Sequence, residues 1–221
     1  MNMNRSLYSL VLSDPVVEEI DRLAAARQTN RSALVDRILA QYLSMMTPEQ
    51  QIANVFHHIE SLFSGLPFFS SEPAAKCTMR LKTSLDCKYQ PALRYEVRLF
   101  PEPEGHCIGR LTVQFRSRSQ PLLEAADRFF CGLIRLEERY IAPLYPAGSL
   151  RYELGEGRFV RSMPLRKGAE PTEAGLGSAI TAYIQMVDTL FKQSLTGYLT
   201  DDQFEQAYVA CLDRAGDLLN M

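Results

Sequence analysis

The side chains that could do chemistry are few and scattered. Five cysteines (Cys77, Cys87, Cys107, Cys131 and Cys211) include no CxxC pair, which reads as reduced, mostly buried thiols. Three histidines are present, and His57 and His58 are adjacent. On a helix such neighbours diverge by about 100° and cannot chelate as an i, i+4 pair would. His106-Cys107 sits where a hairpin edge is expected, with Cys77 as a candidate neighbour, and this falls short of a ligand set. Ala174-Gly-Leu-Gly-Ser178 lacks the third glycine of a dinucleotide loop and the Lys-Ser/Thr of a phosphate loop, so it reads as a helix entry. No nucleophile–base arrangement emerges from the spacing. The sequence therefore predicts no enzyme, no metal and no cofactor, and the chemistry left to consider is that of charge.

A net charge of −2 carries no global basic excess, so any contact with nucleic acid must come from a local patch. One such patch is legible. Residues 76–118 hold nine basic and four acidic side chains. In three strand-like stretches they alternate with apolar residues. Thr78, Arg80 and Lys82 share one face, as do Arg94, Glu96 and Arg98, and then Arg110, Thr112, Gln114 and Arg116. An accessory basic face made of Arg80, Lys82, Arg94, Arg98, Arg110 and Arg116 is expected, to be weighed against a merely solvated surface. Residues 1–46 are neutral, with five basic and five acidic residues, most of the acids on the first helix.

Several elements must position these groups. Residues 5–12 alternate, with Tyr8, Leu10 and Leu12 on one side and Arg5, Leu7, Ser9 and Val11 on the other, which predicts a half-buried strand. Ser13 or Asp14 can cap a helix in which Pro15 occupies the first turn, running to about Ala26 with Val17, Ile20, Leu23 and Ala24 on one face. Asn30 can cap a second helix from Arg31, burying Leu34, Val35, Ile38, Leu39, Tyr42 and Leu43. Thr47-Pro-Glu-Gln50 has capping-box spacing and opens a third helix, ended near Gly65 by a linker to Pro73.

Beyond it come strands over about 76–83, 93–100 and 107–116, with Pro101–Gly105 as the loop of a hairpin. A helix over 120–140 points Leu123, Ala126, Phe130, Leu133 and Ile134 inward. A second hairpin joins 149–154 to 158–163 through Gly155-Glu-Gly157. Helices over 173–195 and from the Thr200–Gln203 capping box to about Leu219 close the chain.

A lone amphipathic strand followed by two short helices has nothing local to pair with and needs a second chain. In order, length and residue type the stretch LYSLVLSDPVVEEIDRLAAARQTNRSALVDRILAQYL resembles the ribbon-helix-helix family of DNA-binding proteins, over about 39 residues. The resemblance rests on Leu12-Ser13-Asp14 at the helix start, on Glu18-Glu19-Ile20-Asp21-Arg22-Leu23, and on Asn30-Arg31-Ser32-Ala33-Leu34-Val35. It implies two strands paired antiparallel across a dyad, resting on four helices and entering the major groove. The base-reading residues it implies are Arg5, Leu7, Ser9 and Val11, and the phosphate clamp is Asn30, Arg31 and Ser32. Leu7 and Val11 depart from the polar side chains usual on that face and can contact only thymine methyls.

The fold class expected is α+β: a ribbon-helix-helix unit (β-α-α) over 1–46, a connecting helix and linker over 47–73, and an α+β domain over 74–221 with antiparallel hairpins and long helices. Residues 1–12 lack a long apolar stretch, and no apolar run approaches about eighteen residues, so neither a signal peptide nor a membrane span is expected and the compartment predicted is the cytoplasm. The function expected is that of a homodimeric, sequence-specific transcriptional regulator, a repressor or activator whose partner is double-stranded DNA. Two alternatives stand beside it: an accessory protein for plasmid or mobile-element DNA processing, and an antitoxin-like protein-interaction module.

Overall fold

The computed structural model describes residues 9–42, 46–64, 70–72, 75–84, 92–117, 119–155, 157–166, 168–195 and 200–214. The chain divides into two compact units, Met1–Gln51 and Ile52–Met221.

The first unit holds α1 (Asp14–Ala26) and α2 (Arg31–Tyr42). Ser13 is the extended residue before α1, but its hydroxyl makes no capping bond. Its carbonyl accepts the N–H groups of Val16 and Val17 instead. Gln28 takes a left-handed φ of 51°, which ends α1 and turns the chain. Asn30 then caps α2, its Oδ1 accepting the Ala33 N–H at 2.8 Å. Ile20, Ala24 and Leu34 form a three-residue buried core, with Leu23 and Val35 packed against it.

Only residues 9–12 of the strand expected over 5–12 are described, and they are not in a strand. Residues 1–8 lie outside the described residues and 9–13 have no regular structure, so among the described residues the first regular element is α1. The expected burial of Ile38, Leu39 and Tyr42 does not occur either: all three are exposed, and Leu43 lies outside the described residues.

Helix α3 (Pro48–Phe63) begins with the capping box: the Thr47 N–H donates to Gln50 Oε1, and the Gln50 N–H donates to Thr47 Oγ1. It is no free connector. Ile52, Val55, Ile59 and Phe63 are buried in the same core as the sheet, so α3 from Ile52 onward belongs to the second unit.

That unit contains one antiparallel sheet of six strands: β1 (Ser70–Glu72), β2 (Thr78–Ser84), β3 (Ala92–Glu104), β4 (Cys107–Phe115), β5 (Tyr152–Gly155) and β6 (Arg158–Pro164), in the order β1-β2-β3-β4-β6-β5. The β3–β4 hairpin is tighter than expected. Strand β3 continues through Pro101 and Pro103, and only Gly105-His106 turn the chain, with Gly105 at φ +65°. Two prolines cannot donate to the ladder, and the register slips between Leu99 and Glu104 to accommodate them.

Helices α4 (Gln120–Tyr140), α5 (Glu173–Leu195) and α6 (Asp201–Arg214) join α3 in a single core with one face of the sheet. The result is two layers. Inward residues of β2, β3, β4 and β6 (among them Leu81, Tyr95, Val113 and Phe159) are buried against aromatic side chains of the helices. Phe130 stacks on Phe159 at 4.7 Å between ring centres, and Phe191 meets Phe115 edge-on at 5.6 Å. Helix α4 turns Phe129, Leu136 and Glu137 inward in addition to Ala126, Phe130 and Leu133, whereas Leu123 and Ile134 are only partly buried. Gly177 lies near the start of α5 against α3, where a Cβ would come within 2.9 Å of His58 Cδ2. Among the described residues no helix is long and apolar enough to cross a membrane.

The core encloses an ion pair. Arg161 Nε donates to Glu137 Oε2 at 2.7 Å, with the two side chains 2% and 0% exposed. The hydroxyls of Tyr152 (2.8 Å) and Tyr183 also donate to the Glu137 carboxylate, and the Arg161 guanidinium lies 4.6 Å from the Tyr183 ring centre. Burial opposes the Arg161 charge, but the neighbouring Glu137 outweighs it and holds the guanidinium protonated. Burial and the same carboxylate push the Tyr183, Tyr152 and Tyr208 hydroxyls up, keeping them neutral donors.

Candidate nucleic-acid interface

The residues expected to hold a phosphate lie at the start of α2, and the side chains of Asn30 and Arg31 are already engaged. Asn30 Oδ1 is taken by the Ala33 N–H, and the Asn30 carbonyl accepts the Leu34 N–H. Arg31 forks onto Asp21 of α1, Nε to Oδ1 at 2.7 Å and Nη2 to Oδ2 at 2.5 Å. Asp21 holds the Arg31 pKa up, and Arg31 holds the Asp21 carboxyl below its ordinary value. Ser32 is exposed. Among the described residues, the backbone N–H groups of Arg31 and Ser32 have no acceptor, so these are the groups open to an anion at this helix start. The sequence signals the helix start at Asn30 but not the Asp21 partner of Arg31, whose i, i+10 spacing crosses the turn between the helices.

Of the predicted reading residues, Arg5 and Leu7 lie outside the described residues. Ser9 and Val11 are exposed, Val11 completely, on a segment without regular structure. Around them the first unit leaves an unusual amount of apolar side chain at its surface. Leu10 is 59% exposed and Tyr42 86%, and Leu12, Val16, Ile38 and Leu39 are also exposed.

The basic sheet face is assembled largely as expected. Arg80, Lys82, Arg94, Arg98 and Arg110 are all exposed on the face opposite the helices. Arg80 pairs with Glu96 at 2.8 Å, and Arg110 lies 3.7 Å from Glu104. The inclusion of Arg116 is corrected: β4 ends at Phe115, and Arg116 lies beyond the ladder beside Ser117 and Gln120. Its place on the face is taken by Arg158 of β6, which is paired in register with Gln114. That residue was legible, since it alternates with Val160 and Ser162 in the predicted strand.

The scattered chemical residues find other work. His58 Nε2 lies 3.0 Å from Ser178 Oγ, joining α3 to α5. Cys107 Sγ donates to the Gly109 carbonyl. Among the described residues no three His, Cys, Asp or Glu side chains converge as a metal site needs. Comparisons with protein-family models, with curated proteins and with solved structures found no match to this chain.

Proposed function

We infer that the protein is a dimeric, sequence-specific DNA-binding regulator, in which residues 5–12 of two copies pair as a ribbon and enter the major groove. The observation that carries the reading is the apolar surface of the first unit. A core of Ile20, Ala24 and Leu34 is too small to hold a unit of this size, while Leu10, Leu12, Ile38, Leu39 and Tyr42 stay in water. A second copy that covers them supplies the missing core and a partner strand together. The exposed outward residue Val11 and the open N–H groups of Arg31 and Ser32 are then available to bases and phosphates.

The test begins with selection of bound fragments by the purified protein, which yields the operator. Ser9→Ala should lose about 1 kcal/mol or more of discrimination at one base, with the fold unchanged. Arg31→Ala should weaken binding to all sequences alike. Asp21→Asn should do the opposite, because it releases the Arg31 fork for phosphate. If all three variants bind operator and random DNA as the parent does, the ribbon does not read DNA and the reading falls.

A further inference from the structure

We propose that the open face of the six-stranded sheet is a second nucleic-acid contact, one that holds the phosphate backbone of duplex DNA without reading its sequence. Register makes the case. Lys82 lies directly opposite Arg94, and Arg98 directly opposite Arg110. Like charges facing each other across an antiparallel pair destabilise the sheet. Arg98 and Arg110 share the Phe100 ring and Arg110 reaches Glu104, but Lys82 and Arg94 have no such compensation, and an anion laid over the rows relieves both repulsions. Beyond Arg94 the first row continues through Gln114 to Arg158. Between the rows Arg80 and Glu96 neutralise each other. Among the described residues, Lys82, Arg94, Arg98 and Arg158 have no carboxylate within ion-pair distance.

The geometry of the array favours nucleic acid over an acidic protein. The two rows are four residues apart along β3, or about 13 Å at ~3.3 Å per residue. An extended acidic peptide fills one such line, whereas a duplex carries charge on two backbones flanking a groove about 12 Å wide. Most of these cations are arginines, whose planar fork suits phosphate oxygens. The face also lacks the broad apolar centre that a protein interface is built on: between the rows lie Arg80, Glu96, Thr112 and Val160, the last two buried, and Phe100 lies under the guanidiniums of Arg98 (6.0 Å) and Arg110 (5.8 Å). The inference rests on the regulator reading for the identity of the polyanion, and on the sheet alone for the site.

The experiment titrates the full chain with a labelled random-sequence duplex of about two helical turns, at salt between about 50 and 200 mM. Arg94→Ala/Arg98→Ala/Arg110→Ala should reduce the slope of log K against log salt by roughly 2 to 3, since each lost phosphate contact contributes about 0.9. Its thermal midpoint should stay close to the parent's, because the two repulsive pairs that are lost offset the exposed contacts with Phe100 and Glu104. An unchanged slope overturns the inference, as does a parent that fails to bind the random duplex at the lowest salt. Displacement of the duplex by polyglutamate at equal charge concentration overturns it in favour of an acidic protein partner. If the triple variant lowers the slope while Ser9→Ala and Arg31→Ala change nothing, the sheet site stands and the ribbon reading fails.

Discussion

Replacing Glu137 with Gln tests whether the ion pair inside the second unit behaves as its burial requires. The substitution keeps the shape and an oxygen that can accept from Tyr152 or Tyr183, and it removes only the charge. Arg161, 2% exposed, then has no other carboxylate within ion-pair distance among the described residues and is shielded from solvent. Breaking a buried pair by removing one partner costs about 3–5 kcal/mol. For a protein of this size ~1 kcal/mol lowers the thermal midpoint by about 2–4 °C, so the expected drop is roughly 6–20 °C. Differential scanning calorimetry or urea unfolding followed by circular dichroism reads it directly. Adding Arg161→Met to Glu137→Gln should recover part of the loss, because no unpaired charge remains to be buried. A Glu137→Gln protein within about 1 kcal/mol of the parent would refute the reasoning, as would a double variant less stable than the sum of the two singles.

Three further outcomes follow from other parts of the molecule. Gly109→Ala should cost about 1–3 kcal/mol in the same assay, since its Cβ would sit 2.4 Å from the Arg98 carbonyl oxygen in the neighbouring strand, and a neutral result would mean the β3–β4 ladder yields more easily than its spacing implies. On the proposed dimer, Leu10→Asp should shift sedimentation of the full chain to the monomer, and a parent that is already monomeric, or a variant that sediments as the parent does, would show that the N-terminal apolar side chains do not form a subunit contact. Because Arg31 holds the Asp21 carboxyl below its ordinary 3.8, this pair stabilises the fold above that value and ceases to as pH falls through the lower folded-state midpoint. Carboxyl NMR should show the Asp21 midpoint returning toward 3.8 in Arg31→Ala, and no movement would mean the fork is not populated in solution.

Much of this architecture is legible from residue order. Pro15, Asn30, Thr47 and Thr200 mark helix starts because each does local work that needs no partner. Ile38, Leu39 and Tyr42 were read as buried because periodicity reports an apolar stripe and cannot say whether the same chain or another copy covers it. The centre of the second unit was missed for a different reason. Glu137, followed by Glu138 and Arg139, looks like a solvated helix face, and Arg161 resembles any strand arginine. Yet Glu137 continues the inward stripe of Ala126, Phe130 and Leu133, and Arg161 lies between inward Phe159 and Met163. An acid on one apolar stripe and a base on another are each anomalous alone, and each explains the other once they are paired.

Strand β6 has a property that makes this pairing matter beyond energy. It is covered on both sides: Phe159, Arg161 and Met163 face the helices, while Val160, Ser162 and Pro164 are also buried. A half-exposed strand resists a one-residue slip because the slip would expose its apolar side, and β6 has little of that protection. Slipped by one, however, it would carry Arg161 to the far side of the sheet and leave Glu137 enclosed without a cation. The ion pair therefore fixes the reading frame in which the β5–β6 hairpin joins β4. Arg158, three residues earlier on the same strand, takes its place opposite Gln114 only in that frame. The alignment of charges on the open face is thus set from the opposite side of the sheet, by a contact that no ligand there could touch.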